Sequence, residues 1–145
     1  MNIRIKRLRP EAVLPTYGTP GSAGADLSVC LDAPVTLRPG ETRLLPLGWA
    51  IEIPEGYVGL VYARSGMASR RGLAPANKVG VIDSDFRGEL MAAMHNHGSV
   101  PQTIEPGERV LQLVITPYVQ GVFSEVDELS DTSRGEGGWC STGKR

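Results

Sequence analysis

Cysteine is nearly absent: Cys30 and Cys140 are the only two in 145 residues. One lies in an expected strand and the other near the end of the chain, which is poor material for a disulfide framework, so both thiols are expected to be free in a reducing compartment. An excess of charge of one sign is also lacking. Fifteen Lys and Arg stand against sixteen Asp and Glu, which leaves no one-sided basic field to attract a nucleic-acid backbone or an anionic membrane. Long apolar runs are missing as well. No stretch approaches the roughly 18 apolar residues of a membrane helix, and MNIRIKRLRP carries positive charge without the apolar centre of a signal peptide. The expectation is a soluble cytoplasmic protein with no nucleic-acid and no membrane partner. Zinc-like spacing is absent too: His95 and His97 flank Asn96 with no Cys or third His to complete a site, and a surface hairpin accounts for them.

What the chain has in quantity is punctuation. Eighteen glycines and eleven prolines cut it into short pieces, several of which alternate apolar and polar residues as half-buried strands do. Ile3 and Ile5 alternate with Arg4 and Lys6; Leu27, Val29 and Leu31 with Ser28 and Cys30; Ile51 and Ile53 flank Glu52; Val58, Leu60 and Tyr62 form another period-two run. RPGE, PEGY and EPGE supply the turns. Both DSDFRGELMAAMHN and ERVLQLVITPYV read as strands, the second nearly continuous in apolar residues and therefore central. One short helix is expected near SGMASRRGL. The reading is all-β, a sandwich, barrel or jelly roll, in a single domain over residues 1–145, large enough to bury roughly two-thirds of its unfolded surface. At about Ser130 the composition turns polar and glycine-rich, and a flexible arm is expected over about 130–145.

That arm contains GGWCSTGKR, which has the G-x-x-x-x-G-K spacing of a phosphate-binding loop. Such a loop needs a strand before it and a Ser or Thr after the Lys. Arg145 stands where the hydroxyl belongs, and SDTSRGEG before it is no buried strand, so that reading fails. Four further stretches carry candidate chemistry. ARSGMAS offers Arg64, Ser65 and Gly66 to an anion, because Arg forks onto phosphate oxygens and Gly lets backbone N–H groups approach; alone it equally fits a strand exit with a solvated Arg. GVIDSDFRGEL places Asp83 and Asp85 at the same-face spacing of a strand, suited to a metal or a general base, or to an acidic hairpin turn. In AGADL, Asp26 enters a strand after a glycine-rich loop, as a metal or water ligand or as a turn cap. In GERVLQLV, Gln112 stands inside an apolar run where a polar group needs a partner.

The order of these five stretches, AGADL, ARSGMAS, GVIDSDFRGEL, GERVLQL and RGEGGWCSTG, resembles the five motifs of the trimeric dUTPases, from about Ile3 to Gly143. The resemblance implies a jelly-roll subunit, a homotrimer with active sites at subunit interfaces, and Mg2+-dependent hydrolysis of dUTP to dUMP and pyrophosphate. It gives Asp83 the activation of the attacking water. Arg64, Ser65, Gly66 and Gln112 fall on the phosphate side, and Asp26 reaches Mg2+ only through water. Asn77, Gly80 and Met91 fall on the uracil pocket, with Phe86, where the family usually has Tyr, under the deoxyribose. In the arm, Arg134 falls on the γ-phosphate, Ser141 and Thr142 add hydroxyl and backbone donors, and Trp139, usually Phe, stacks on the base. Cys140 replaces a usual Gly and would strain a positive φ. Arg109 and Asp85 are expected to be structural ion-pair partners, or else to touch the site. Two rivals remain: a dCTP deaminase of the same fold, whose catalytic Glu would fall at Ala93, and a jelly-roll module that binds a nucleotide without cleaving it.

Overall fold

The computed structural model describes residues 1–138. Among them, strands and one helix follow in the order β1 (Arg4–Arg7), β2 (Thr16–Tyr17), β3 (Ala25–Ser28), β4 (Val35–Leu37), β5 (Thr42–Pro46), β6 (Trp49–Glu52), β7 (Tyr57–Ala63), α1 (Ser65–Arg71), β8 (Leu73–Pro75), β9 (Gly80–Ile82), β10 (Met91–Asn96), β11 (Gln102–Ile104) and β12 (Arg109–Pro117). The largest sheet has the order β2-β3-β12-β7-β9; a second runs β5-β10-β8, and β1 pairs with β6 and β4 with β11. All these pairings are antiparallel. This is the all-β, jelly-roll-like fold with one short helix that the sequence leads one to expect, and no helix among the described residues is long and apolar enough to cross a membrane.

The period-two pattern explains the core. In β10, Ala92, Met94 and Asn96 point inward, while Met91, Ala93 and His95 face out. Leu27 of β3, Val110, Leu111 and Leu113 of β12, Leu45 of β5, Met94 of β10 and Leu73 of β8 meet in one cluster, so both larger sheets share one interior. Val110 and Leu111 are both buried because a register shift falls between Arg109 and Leu111. Asn96, fully buried, is satisfied: its Nδ2 donates to the carbonyls of Leu37 and Val100 at 3.0 and 2.8 Å, and its Oδ1 accepts from the Gly98 N–H. Helix α1 ends at Gly72, whose φ of 65° is left-handed and whose N–H returns to Ala68. A side chain there would also lie 2.9 Å from the Gly98 nitrogen.

Three expected strands are shorter than their alternation suggests. The first ends at Ser28, after which Val29 and Cys30 stay buried and donate to the carbonyls of Glu108 and Pro46. DSDFRGELMAAMHN is a strand only from Met91; residues 83–90 form an irregular turn, closed by the Phe86 N–H on the Asp83 carbonyl and by Arg87 on the Ser84 carbonyl. Turn chemistry therefore overrides alternation, and Asp83 and Asp85 do not share a strand face. The final strand stops at Pro117, and no helix or strand follows among the described residues. Val119, Val122 and Phe123, at 95%, 94% and 100% exposure, are left uncovered among the described residues.

Candidate active site

The motifs AGADL, ARSGMAS and GERVLQL converge through strand register. Gln112 of β12 is the cross-strand partner of Asp26 on β3 and of Tyr62 on β7, and Arg64 leaves the end of β7 one residue past Ala63. The Asp26 side chain, only 12% exposed, accepts the Arg64 Nε–H on Oδ1 at 2.8 Å and the Arg109 Nη1–H on Oδ2 at 3.0 Å. A half-buried carboxylate without those cations would be costly, so the three residues form one unit. Arg109 is thus the structural ion-pair partner the sequence suggests. The Gln112 Nε2 donates to the Ala63 carbonyl at 3.0 Å, which aims its Oε1 toward Gly24. A Cβ on Gly24 would lie 2.6 Å from that oxygen, so glycine is what admits the amide. Around this unit opens a polar cleft of about 420 Å3, lined by Gly24, Asp26, Arg64, Ser65 and Gln112. Gly66 lies next to it, and a Cβ there would meet nothing within 4 Å, so packing within the chain does not explain that glycine.

Asn77, Gly80 and Met91 also come together, around a second cavity of about 140 Å3 whose walls include Val61, Ala93 and Leu111. Among the described residues, no carboxylate or imidazole lines it. Leu111 faces this cavity and the next residue, Gln112, faces the polar cleft. Consecutive strand residues point to opposite faces, so one chain presents the two cavities on opposite sides of its largest sheet.

Asp83 lies at a third place, directly after β9, in an open cavity of about 760 Å3 shared with Glu52, Glu55, Asp85 and Arg87. Its carboxylate makes no hydrogen bond or ion pair among the described residues, and neither does that of Asp85, which therefore does not take the structural pairing expected of it. Arg87 instead approaches Glu52 at 3.8 Å, and Glu52 is held below the ordinary carboxylate range mainly by its hydrogen bond from Arg4. Phe86 is 41% exposed and folds over Gly88, where a Cβ would lie 2.7 Å from the ring.

Two supports escape a sequence reading. Glu89 pins the base of the Asp83 turn to the body, accepting from Arg9 Nε at 2.7 Å and from the Gly48 N–H at 3.1 Å. Arg71 anchors α1, donating to Gln102 at 3.0 Å and pairing with Glu108. Both depend on partners far along the chain, and no local pattern marks them. His95 and His97 pack with their rings tilted by 58° and centroids 4.3 Å apart, while Thr42 and Lys78 occupy their nitrogens. Arg134 is exposed and donates to the Gly137 carbonyl at 2.6 Å. Trp139, Cys140, Ser141 and Thr142 lie outside the described residues.

A family model described as dUTPase matches residues 10–143. The chain is 48% identical over 145 residues to the deoxyuridine 5'-triphosphate nucleotidohydrolase of Burkholderia cenocepacia, covering 99% of this chain and 98% of that one. It is 50% identical, with the same coverage, to the protein of that name from Paraburkholderia phymatum. Among solved structures, the dUTPase of Staphylococcus bacteriophage 80alpha with dUpNHpp superposes with a TM-score of 0.88 at 29% identity, over 98% of both chains. With a family model spanning most of its length and near half-identical relatives along all of it, this chain belongs to the dUTPase family.

Proposed function

We propose that the chain hydrolyses dUTP to dUMP and pyrophosphate, and that the polar cleft built on Asp26, Arg64, Arg109 and Gln112 receives the phosphates. The observation that carries this reading is the double grip on Asp26: it fixes Arg64 beside an open cleft, with further guanidinium N–H groups left for phosphate oxygens. Ser65 and Gly66 add a hydroxyl and close backbone approach. Asp83, whose carboxylate has no competing partner among the described residues, takes the proton of the attacking water; such a base contributes typically ~10²- to 10⁴-fold. The cavity at Asn77, Gly80 and Met91 takes uracil, with Phe86 against the deoxyribose.

Because the two cavities open on opposite faces of one sheet, a single nucleotide cannot use both from the same chain. A homotrimer with sites between subunits resolves this, each site combining the cleft of one subunit with the base pocket of another. The exposed Val119, Val122 and Phe123 support the same arrangement, since they lead the chain away from its own core toward a neighbour. Residues 1–145 act as one domain, and the arm over about 130–145 closes on the nucleotide, with Arg134 at the γ-phosphate and Trp139, Cys140, Ser141 and Thr142 toward base and phosphates. The reaction belongs to cytoplasmic nucleotides.

Mg2+ fits this cleft as an ion brought in on the triphosphate. Both Asp26 oxygens already serve guanidinia, which leaves lone pairs for water and no bare carboxylate to bind the ion directly. Asp26 and the Gln112 Oε1 would hold its waters, and bound there it supplies charge neutralisation along the phosphates. Incubation with dUTP, dCTP and UTP in the presence of Mg2+, assaying pyrophosphate and ammonia separately, tests the reading. Pyrophosphate from dUTP alone is expected; ammonia from dCTP would indicate a deaminase, against which Ala93 stands in the base cavity wall, and no product would indicate a binding module.

A further inference from the structure

The turn between β8 and β9 carries Asn77, and next to it stands the one non-glycine residue with positive φ among the described residues, Lys78 at 67°. A Cβ is strained there and stays only where its surroundings hold it. Two bonds do so. The Lys78 N–H donates to the Pro75 carbonyl at 2.9 Å, and its Nζ crosses to the end of β10, 3.1 Å from His97 Nε2 and 3.5 Å from Nδ1. A neutral imidazole keeps one bare nitrogen. Both ring nitrogens lie within reach, so Lys78 has an acceptor in either tautomer. His97 is itself fixed, by its backbone N–H on the Gly72 carbonyl at 2.8 Å and by its tilted ring contact with His95, whose Nδ1 lies 2.8 Å from the Thr42 hydroxyl on β5.

We propose that Lys78 and His97 are positioning residues for Asn77: their hydrogen bond holds the strained turn so that Asn77 stays at the base cavity, and protonation of His97 releases it. This rests on the assignment of Asn77 to the uracil pocket. The other charges on the elements around His97 are already paired or serve elsewhere. Glu41 and Arg43, beside Thr42, pair with each other at 2.5 Å, and Arg71 of α1 is taken by Glu108, with Arg70 next to it in the last helical turn. Lys78 and His95 are the titratable groups that act on the ring, and although His97 is exposed, partial desolvation of its ring, then Lys78, then His95 hold it below the ordinary imidazole range. His97 is therefore neutral at neutral pH. A proton that arrives as the pH falls through that lowered range sets two cations 3.1 Å apart and breaks the bond.

The test is KM and kcat for dUTP between about pH 5 and about pH 8, with the His97 ring followed by NMR. In the unmodified protein, KM should rise in acid as His97 charges. His97→Gln, which still accepts from Lys78 but does not titrate, should lose that rise. Lys78→Met should raise KM about two- to fivefold at neutral pH, where the bond is intact, as expected for one surface hydrogen bond, should meet the unmodified protein in acid, and should shift the His97 titration upward. Identical KM profiles in the unmodified protein and His97→Gln, or an unchanged KM in Lys78→Met at neutral pH, would overturn the proposal. Asn77→Ala separates the two levels. If it raises KM while the tether variants do not, the tether alone fails; if it leaves KM unchanged, the assignment of Asn77 to the base fails and the tether with it.

Discussion

Asp26 and Asp83 are both candidate site carboxylates, and the fold treats them in opposite ways. Asp26 sits in a strand of the largest sheet, its side chain 12% exposed, with one guanidinium on each oxygen. Asp83 sits on a turn, exposed, with no side-chain bond among the described residues. A carboxylate held by two cations is an anchor, since both oxygens are committed and its environment depends on them. One without a partner is available to a water molecule. On the proposed function, the contrast gives orientation to the first and proton transfer to the second, so that the aspartates of the first and third motifs would not be interchangeable.

Removing the free carboxylate should have the largest effect. Asp83→Asn is expected to lower kcat by at least ~10², with dUTP affinity within about tenfold, because the amide fits but cannot take the proton; steady-state rates together with binding of a non-hydrolysable analogue check this. Asp26→Asn should act through geometry instead, reducing kcat/KM by about 10- to 100-fold, as for other residues that orient a site from behind. Recovery of the rate in Asp26→Asn at saturating dUTP would sharpen the contrast, and a loss of kcat equal to that of Asp83→Asn would erase it. Phe86→Ala, on the same turn as Asp83, should narrow the preference for dUTP over UTP by about tenfold, read from the ratio of kcat/KM values.

The smallest effect concerns what holds that turn in place. Hydrogen bonding from Arg9, outweighing burial, holds Glu89 below the ordinary carboxylate range. A depressed carboxylate stabilises the fold above its unfolded range and loses that contribution as the pH falls through its folded one. Glu89→Gln should therefore cost about 1 kcal/mol at neutral pH, with the deficit shrinking in acid. Denaturant unfolding at several pH values measures it, and an equal deficit at all pH values would remove Glu89 from the role of charged pin.

Much of this was legible in the residues. Short alternating runs and Pro-Gly turns lead to the all-β fold, and the order of five motifs to the family. The grouping of Asp26, Arg64 and Gln112 came with the family resemblance, and the register of β3, β12 and β7 brings the three together. The strand limits were not legible, because Val29 and Cys30 remain buried after their strand ends and so continue its alternation. The Asp83 stretch left a strand face and an acidic hairpin turn both open for a related reason: the turn's closure depends on Phe86 and Arg87 acting together, whereas period-two spacing is read one residue at a time. Glu89, Arg71 and the Lys78–His97 bond depend on partners distant in sequence, which a single chain of letters does not display.

The most direct test of water attack governed by Asp83 is a single turnover of dUTP with Mg2+ in 18O-labelled water, comparing the unmodified protein with Asp83→Asn. The account predicts label in dUMP and none in pyrophosphate, since water attacks the α-phosphorus, with incorporation slowed at least ~10² in the variant once dUTP is bound. Label in pyrophosphate, or incorporation at the unmodified rate in Asp83→Asn, would contradict it.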